Sequence, residues 1–401
     1  MTSARDAVVG QAADAAAAAV DADELLTVAR ALLAARSENP GGTEDEAAAV
    51  ASDVLAGLDA DPAIVRGAGG RPSVVARIGG AARPALAWNG HLDTVPAGAD
   101  DSWSHPPFAG VVEGGRLIGR GAADMKGPIA SALAAAAAIR RAGIELGGSF
   151  VFHLAADEEF AGVHGTQVLW EGGHLDQDAA IVGEPSELEV GLAERGGCWL
   201  TLTAHGTAAH GSTPHLGVNA ITSMAKLLPR LADALPDLEH PLVGRPTVNP
   251  ALIEGGTAPN VVPDRCVVDV DRRVIPGETD PEAVVAPFLR LIEELRRDDP
   301  SVEIEVEMRE WTEAAEAPAD SAIAELTRAA LAAETGEPAI DRGFTGITDA
   351  RFYINQAAIP TVIMGPGSLT VAHTADEWIA VDELVTAARA YARIAVAFLG
   401  A

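Results

Sequence analysis

The stretch Ala85-Leu86-Ala87-Trp88-Asn89-Gly90-His91-Leu92-Asp93-Thr94-Val95-Pro96 decides how the rest of the chain reads. Its opening, Ala85–Asn89, is a short apolar run ending in a glycine turn, the pattern of a buried strand. His91 and Asp93 follow two residues apart, so on an extended backbone their side chains point the same way. His91 can then hold a metal while Asp93 hydrogen-bonds the imidazole or a second ligand. A strand that delivers such a pair at its end belongs to the folds that build sites at strand termini.

Working outward, helical and strand patterns alternate. Ala22–Ala35 and Thr43–Leu58 have helical spacing, the second opened by Thr43 with Glu46 three residues on, a capping-box pattern. Strands are predicted over Ser73–Ile78, Ser149–Ala155 and Ala179–Val182, and an Ala-rich helix over Gly127–Ala142. Buried strands alternating with helices imply an α/β domain with a mostly parallel sheet between helices. From Cys198 the texture changes. Trp199–Ala204 and Val267–Val274 read as half-buried strands, with helical stretches at Asn219–Leu235 and Pro281–Arg297. The alternation resumes from Trp311, with a helix at Ser321–Glu334, a strand at Thr361–Met364 and a helix at Val381–Leu399. The expected organisation is a catalytic domain over residues 1–195 and 311–401, interrupted by a smaller α+β insert at 196–310, and a chain of 401 residues suits two domains.

Composition excludes several functions. With 58 acidic against 28 basic residues, a net charge of −30 repels phosphate backbones, so nucleic acid is not an expected partner. No run of eighteen uncharged apolar residues occurs; Ile129–Ile139 is too short to span a bilayer, and Arg140 and Arg141 close it. The first twenty residues lack the basic cluster and Leu-rich core of a secretory signal, so the expected location is cytoplasmic, away from membranes. Cys198 and Cys266 read as buried free thiols.

Further acidic and imidazole groups gather at predicted strand ends. Asp124 sits in Gly119–Pro128, at a Gly-flanked bend where a carboxylate could bridge two cations or cap the following helix. Asp157-Glu158-Glu159 follow the strand Ser149–Ala155, and three successive carboxylates repel one another unless a cation sits there. Adjacent glutamates cannot both face one point on a regular strand, so one could bind metal while the other takes a proton from the attacking water. Glu184 follows the strand Ala179–Val182, with Pro185 restricting it to extended geometry. His373 follows the Gly-rich turn Gly365-Pro366-Gly367. Two histidines and three carboxylates make a thiol-free dinuclear site with Asp124 shared, each cation keeping a position for water. The charges balance: two divalent cations against three carboxylates and one hydroxide.

The runs Gly90–Pro96, Gly119–Pro128, Asp157–Glu159, Gly183–Ser186 and Ala372–Glu377 resemble the acetylornithine deacetylase and succinyl-diaminopimelate desuccinylase family. Aminoacylases, carnosinase-like dipeptidases and glutamate carboxypeptidases are members too. The motifs keep the family's order, and the likeness runs from about Asp23 to Leu399. The resemblance implies two zinc (or cobalt) ions, one held by His91, Asp124 and Glu184, the other by Asp124, Glu159 and His373. It implies Asp93 as the residue orienting His91, Glu158 as general acid/base, and a cis peptide at Asp124–Met125. In the insert, Ala204–Ser212 resembles the stretch whose histidine, here His210, reaches a partner subunit's active site, which implies a homodimer through a lid and dimerisation domain. Gly255–Pro263 resembles a substrate loop with Asn260 as its polar contact, and Asp271-Arg272-Arg273 a segment in which Arg273 binds the substrate carboxylate. Gly343–Arg351 is similar to a loop that lines the pocket of deacetylase-like members.

The activity implied is hydrolysis of the amide bond of a small N-acylated amino acid, acetylornithine deacetylase-like. A hydroxide between the metals attacks the carbonyl, Glu158 moves the proton and His210 steadies the oxyanion. Inside the family the alternatives are a desuccinylase and a metallo-dipeptidase or carboxypeptidase. A non-catalytic binding homologue would lack Glu158 or a metal ligand, and all are present.

Overall fold

The computed structural model describes residues 4–67, 69–80 and 82–401. The strand Ala85–His91 is buried at every position and lies between Ser149–Ala155 and Ala179–Val182, both parallel to it. Strands covered on both faces need no polar alternation, which is why these three read as continuous apolar runs. The sheet order is Ala63–Arg66, Pro72–Ile78, Ser149–Ala155, Ala85–His91, Ala179–Val182, Thr361–Ile363 and Val190–Glu194. The central strands through Thr361–Ile363 run parallel, whereas Pro72–Ile78 and Ala63–Arg66 form an antiparallel flank. In register, His91 stands beside Ala155 and Asn89 beside Val182. The residues that follow those strand ends therefore emerge at one edge, where open α/β sheets bind their ligands.

Helix Lys126–Arg141 is buried from Lys126 to Ile139, its alanines letting neighbouring helices approach closely. It packs against Ala22–Ala34 and Val381–Leu399. Trp88 ties this layer to the sheet, its ring edge-on to Tyr391 at 5.7 Å. A Cβ on Gly183 would come within 2.2 Å of that indole, so the residue before Glu184 must be glycine.

The chain divides into two compact units. One holds the residues up to Leu192, Ala317–Arg342 and Thr348–Ala401; the other holds Ala193–Glu316 and Gly343–Ile347. Residues 193–195, 311–316 and 343–347 thus group with the second unit rather than the first. The second unit carries a four-stranded antiparallel sheet in the order Thr247–Gly255, Arg265–Val274, Gly196–His205, Glu303–Thr312. Helices Ala220–Leu227 and Pro281–Asp298 bury Cys198, Leu200 and Leu202 of the sheet against Met224, Phe288 and Ile292. Cys198 and Cys266 are free and buried. Among the described residues no helix is long and apolar enough to cross a membrane.

Two local expectations fail for physical reasons. Thr43 and Glu46 form no capping box: the helix runs Asp45–Gly57, Glu44 is its N-cap residue, and no side chain caps it. Glu44 is drawn inward to pair with Arg71, Thr43 bonds Asp45 instead, and Glu46 accepts from the Arg36 N–H. The helix predicted over Asn219–Leu235 is α-helical only to Leu227 and continues as a tighter 3-10 segment, Leu228–Ala234. Pro229 has no N–H to continue the α-helical ladder.

Candidate metal centre

His91 is buried with Nδ1 3.0 Å from the backbone oxygen of Asp93. A carbonyl only accepts, so Nδ1 carries a proton and Nε2 faces the carboxylates, 3.0 Å from Asp124 Oδ1. The Asp93 carboxylate is slightly farther from the ring, Oδ1 lying 3.5 Å from Nδ1. Its closer partners are the backbone N–H groups of Glu158 and Glu159, both at 3.2 Å, and Asn39 Nδ2 at 2.9 Å. Asp93 thus holds the glutamate turn against the His91 strand as well as flanking the imidazole. Burial works to raise the Asp93 carboxyl, but His91 and these donors hold it below its ordinary value.

Asp124 does not cap the following helix, whose N-cap residue is Met125 with no side-chain cap bond. Its second oxygen lies 3.3 Å from His373 Nε2, so one carboxylate faces two imidazoles. The bend that carries it contains the cis Asp124–Met125 peptide and wraps around the buried Glu377. Glu377 accepts from the N–H groups of Gly121, Ala123 and Asp124 at 3.1, 2.8 and 3.0 Å, and pairs with Arg120 at 2.6 Å. Burial opposes ionisation of Asp124, yet His373 and His91 bring its carboxyl well below the usual range.

Asp157 and Ala161 adopt left-handed conformations, φ +62° and +72°, on either side of the 3-10 turn Glu158–Phe160. That break in extended geometry lets both glutamates face the site. Glu159 Oε2 lies 3.1 Å from His373 Nε2, while Glu158 Oε2 is 3.9 Å and Glu184 Oε1 3.7 Å from His91 Nε2. Potential ligand atoms of His91, Asp124 and Glu159 lie within 4.8 Å of one another, as do those of His91, Glu158 and Glu184. Burial first, then neighbouring carboxylates (Glu184 for Glu158; Asp124, Asp349 and Glu159 for Glu184), pushes both carboxyls well above their ordinary values. His373, whose backbone is left-handed, is raised to about 10 by its bonds to Asp124 and Glu159. Two buried carboxylates, Asp124 and Glu184, and two partly buried ones, Glu158 and Glu159, against two imidazoles, all oxygen and nitrogen donors, fit divalent cations that would offset the surplus negative charge.

The remaining candidates lie in the second unit. His210 Nδ1 accepts from the Ser212 N–H at 3.1 Å and lies 2.7 Å from its hydroxyl, so the ring proton is on Nε2. The Asn260 carbonyl accepts from Gly211 N–H at 2.7 Å, which puts Asn260 beside His210. Arg273 is half-buried and pairs with Asp271 at 3.0 Å, whereas Arg272 is buried and committed to Glu278. Strand Arg265–Val274 pairs Arg265 with His205 and Arg273 with Gly197, so Arg273 stands at the strand end away from the 206–211 loop.

Sequence reasoning missed Glu377, Asn39 and Lys126. Glu377 closes the run Ala372–Glu377 and carries no mark in the sequence that distinguishes it from a surface acid. Lys126, one of two lysines in the chain, is buried with Nζ 2.6 Å from the Ala35 oxygen, and burial pulls it down to about 8.

Fold and site are together those of a metal-dependent hydrolase of carbon–nitrogen bonds. The chain belongs to the peptidase family M20/M25/M40, whose model matches residues 87–397. It is 34% identical over 327 residues to an acetylornithine deacetylase of Myxococcus xanthus, covering 80% of this chain and 82% of that one. Similarity to a succinyl-diaminopimelate desuccinylase of Methylobacterium sp. (strain 4-46) reaches 33% over 382 residues, 90% of this chain and 94% of the other. The fold matches an M20 family metallo-carboxypeptidase of Sulfolobus solfataricus with a TM-score of 0.78 at 20% identity, over 94% of this chain and 99% of that one.

Proposed function

We propose that this protein removes the acyl group from small N-acylated amino acids, acetylornithine-type substrates first among them, as a zinc- or cobalt-dependent cytoplasmic homodimer. The observation that carries the reading is Asp124, one buried carboxylate between two imidazoles at 3.0 and 3.3 Å. His91, Asp124 and Glu184 would hold one cation, and Asp124, Glu159 and His373 the other. Bound there, the cations supply Lewis-acid polarisation of the amide carbonyl and acidify water.

The chain's own residues do the rest. Glu158, held by Asp93 through its backbone and carrying a raised carboxyl, accepts the proton of the attacking water and delivers it to the leaving nitrogen. His210, with its proton on Nε2, donates to the carbonyl oxygen as charge builds there. Arg273 forms a two-pronged clamp on the substrate's α-carboxylate.

Arg265 and Arg273 are eight residues apart on one strand, roughly 26 Å at about 3.3 Å per residue. His210 bridges Val261, which precedes the Arg265 end of that strand, while Arg273 stands towards the other end, and this placement supports His210 and Asn260 serving the partner's site. On that reading the second unit is the lid and dimerisation domain and the first is catalytic. The free thiols of Cys198 and Cys266 suit a reducing compartment.

The test is amide hydrolysis by purified zinc- or cobalt-loaded protein on N-acetyl, N-succinyl and N-formyl amino acids and on dipeptides, beside a Glu158→Ala sample. Cleavage of one acyl class that needs both metal and Glu158 supports the proposal and separates deacetylase from desuccinylase and dipeptidase. Two metals bound with nothing cleaved overturns it.

A further inference from the structure

In the stretch 343–351, Asp349 and Arg351 are not among the metal-ligand candidates, and both are buried under the glutamate turn. Asp349 is 1% and Arg351 7% exposed. Neither lies on an element that carries a candidate ligand. Asp349 Oδ2 accepts from Thr166 Oγ1 at 2.6 Å and, more weakly, from Asn89 Nδ2 at 3.4 Å. Thr166 opens the helix Thr166–Glu171 that follows the glutamate turn, and Asn89 precedes His91 by two residues on its strand. Arg351 Nη2 donates to the Ala161 oxygen at 2.6 Å and Nη1 to the Thr348 oxygen at 2.5 Å. Ala161 is the left-handed residue that closes the turn bearing Glu158 and Glu159.

The fit is close. Gly162 has φ +66°, and a Cβ there would stand 2.9 Å from Asp349 Oδ1, so a side chain at this position would push Asp349 from its place. Asp93 fixes the same turn from its other end, through the N–H groups of Glu158 and Glu159. The turn is thus clamped at its start by a residue next to the His91 strand and at its close by residues distant in sequence. A buried arginine and carboxylate are costly to desolvate. Apolar residues would fill the same space without that cost, but they would not hold a carbonyl and two side-chain donors in fixed directions.

We propose that Asp349 and Arg351 are positioning residues that hold the Glu158 turn in register with the His91 strand, so that Glu158 can reach the water and the leaving nitrogen. The inference rests on the amide-hydrolase reading of the site. Asp349 acts through the hydrogen bonds of Thr166 and Asn89, and Arg351 through the Ala161 carbonyl. Neither touches substrate.

The test compares Asp349→Ala, Asp349→Asn, Arg351→Ala and Arg351→Lys with the native, metal-loaded enzyme, measuring kcat, KM, metal stoichiometry and Tm. The two alanine variants are expected to lose about 10–100-fold in kcat with KM and two metals per chain held near the native values, and with a lowered Tm that still leaves the enzyme folded at the assay temperature. Asp349→Asn, which keeps an acceptor for Thr166, and Arg351→Lys, which keeps one donor for Ala161, are expected to recover most of that loss. The proposal is overturned if the alanine variants keep native kcat, if their losses track lost metal or lost fold, or if Asp349→Asn is as impaired as Asp349→Ala. Failure of the underlying reading is distinguishable, because the native enzyme would then cleave no amide in the same assay.

Discussion

The two units treat their candidate functional groups in opposite ways. In the first, Asp93, Asp124, Glu158, Glu159 and Glu184 are buried or nearly so, and their backbones or carboxylates are tied down: Asp93 by three donors, the Asp124 bend by Glu377, the glutamate turn by Asp93 and Arg351. In the second, His210 and Asn260 are exposed on loops, and Arg273 is half-buried beside Asp271. Groups that hold cations and move protons gain from being fixed before substrate arrives. Groups that recognise a ligand and help close over it need freedom to move. On the proposed reading, the fixed groups of the first unit suit chemistry and the exposed groups of the second suit recognition.

The hardest test of that division is Glu158→Gln. Loss of a general acid/base is expected to lower kcat by about 10²–10⁴-fold while metal stoichiometry and Tm stay unchanged. Near-native turnover would remove the reaction centre from the first unit. Next is His210→Ala, expected to cost roughly 10²-fold in kcat through a lost oxyanion donor, with no change in Tm because the side chain is exposed. Mixing His210→Ala with Glu158→Ala protomers sharpens the comparison. If His210 serves the partner's site, exchanged dimers contain one site with both residues and activity returns. No recovery after verified subunit exchange would put His210 in its own chain's site or in none.

Arg273→Ala should act on recognition. The expected change is a KM increase of about 10–100-fold with little change in kcat, from the loss of charge-assisted bonds to the substrate carboxylate. A fall in kcat at constant KM would move Arg273 from recognition to chemistry.

What the sequence made legible follows the same division. The strand ends could be found because burial on both faces writes a continuous apolar run, and His91, Asp124, Glu159, Glu184 and His373 stand just beyond such runs or their glycine turns. The supports of those residues were invisible, because each acts across a long sequence gap. Glu377 grips a bend 253 residues before it, and Asp349 meets Asn89 across 260. An acid that will be buried against distant N–H groups looks like any surface acid. The missing capping box has the same cause: Glu44 is claimed by Arg71, 27 residues on, so the local signal at Thr43 and Glu46 loses to a tertiary pairing. In the second unit, the strand Glu303–Thr312 is not legible in the sequence because its alternating glutamates hide a half-buried edge strand.

The smallest expected effect per step concerns the acidity of the first unit and separates a pre-organised cation site from a merely buried ion-pair cluster. In the metal-free protein Asp124 and Glu159 hold His373 protonated up to about pH 10, and His91 is likewise raised, against burial, by Asp124 and Asp93. A ligating imidazole must be neutral, so each cation that takes one displaces a proton. Metal affinity should therefore rise with pH, by up to about tenfold per unit for each proton displaced, and level off near the raised value. The sign for folding is the reverse. A histidine raised above its unfolded value stabilises the metal-free protein fully below about pH 6.5 and loses that contribution as pH climbs towards 10, a modest term because His373 is half-exposed. Chelator competition between pH 6.5 and 9, with calorimetry in two buffers of different ionisation enthalpy, measures both the slope and the protons released. An affinity that does not change with pH would mean that neither imidazole gives up a proton to the metal, and the first unit would then be a buried salt-bridge cluster rather than the reaction centre.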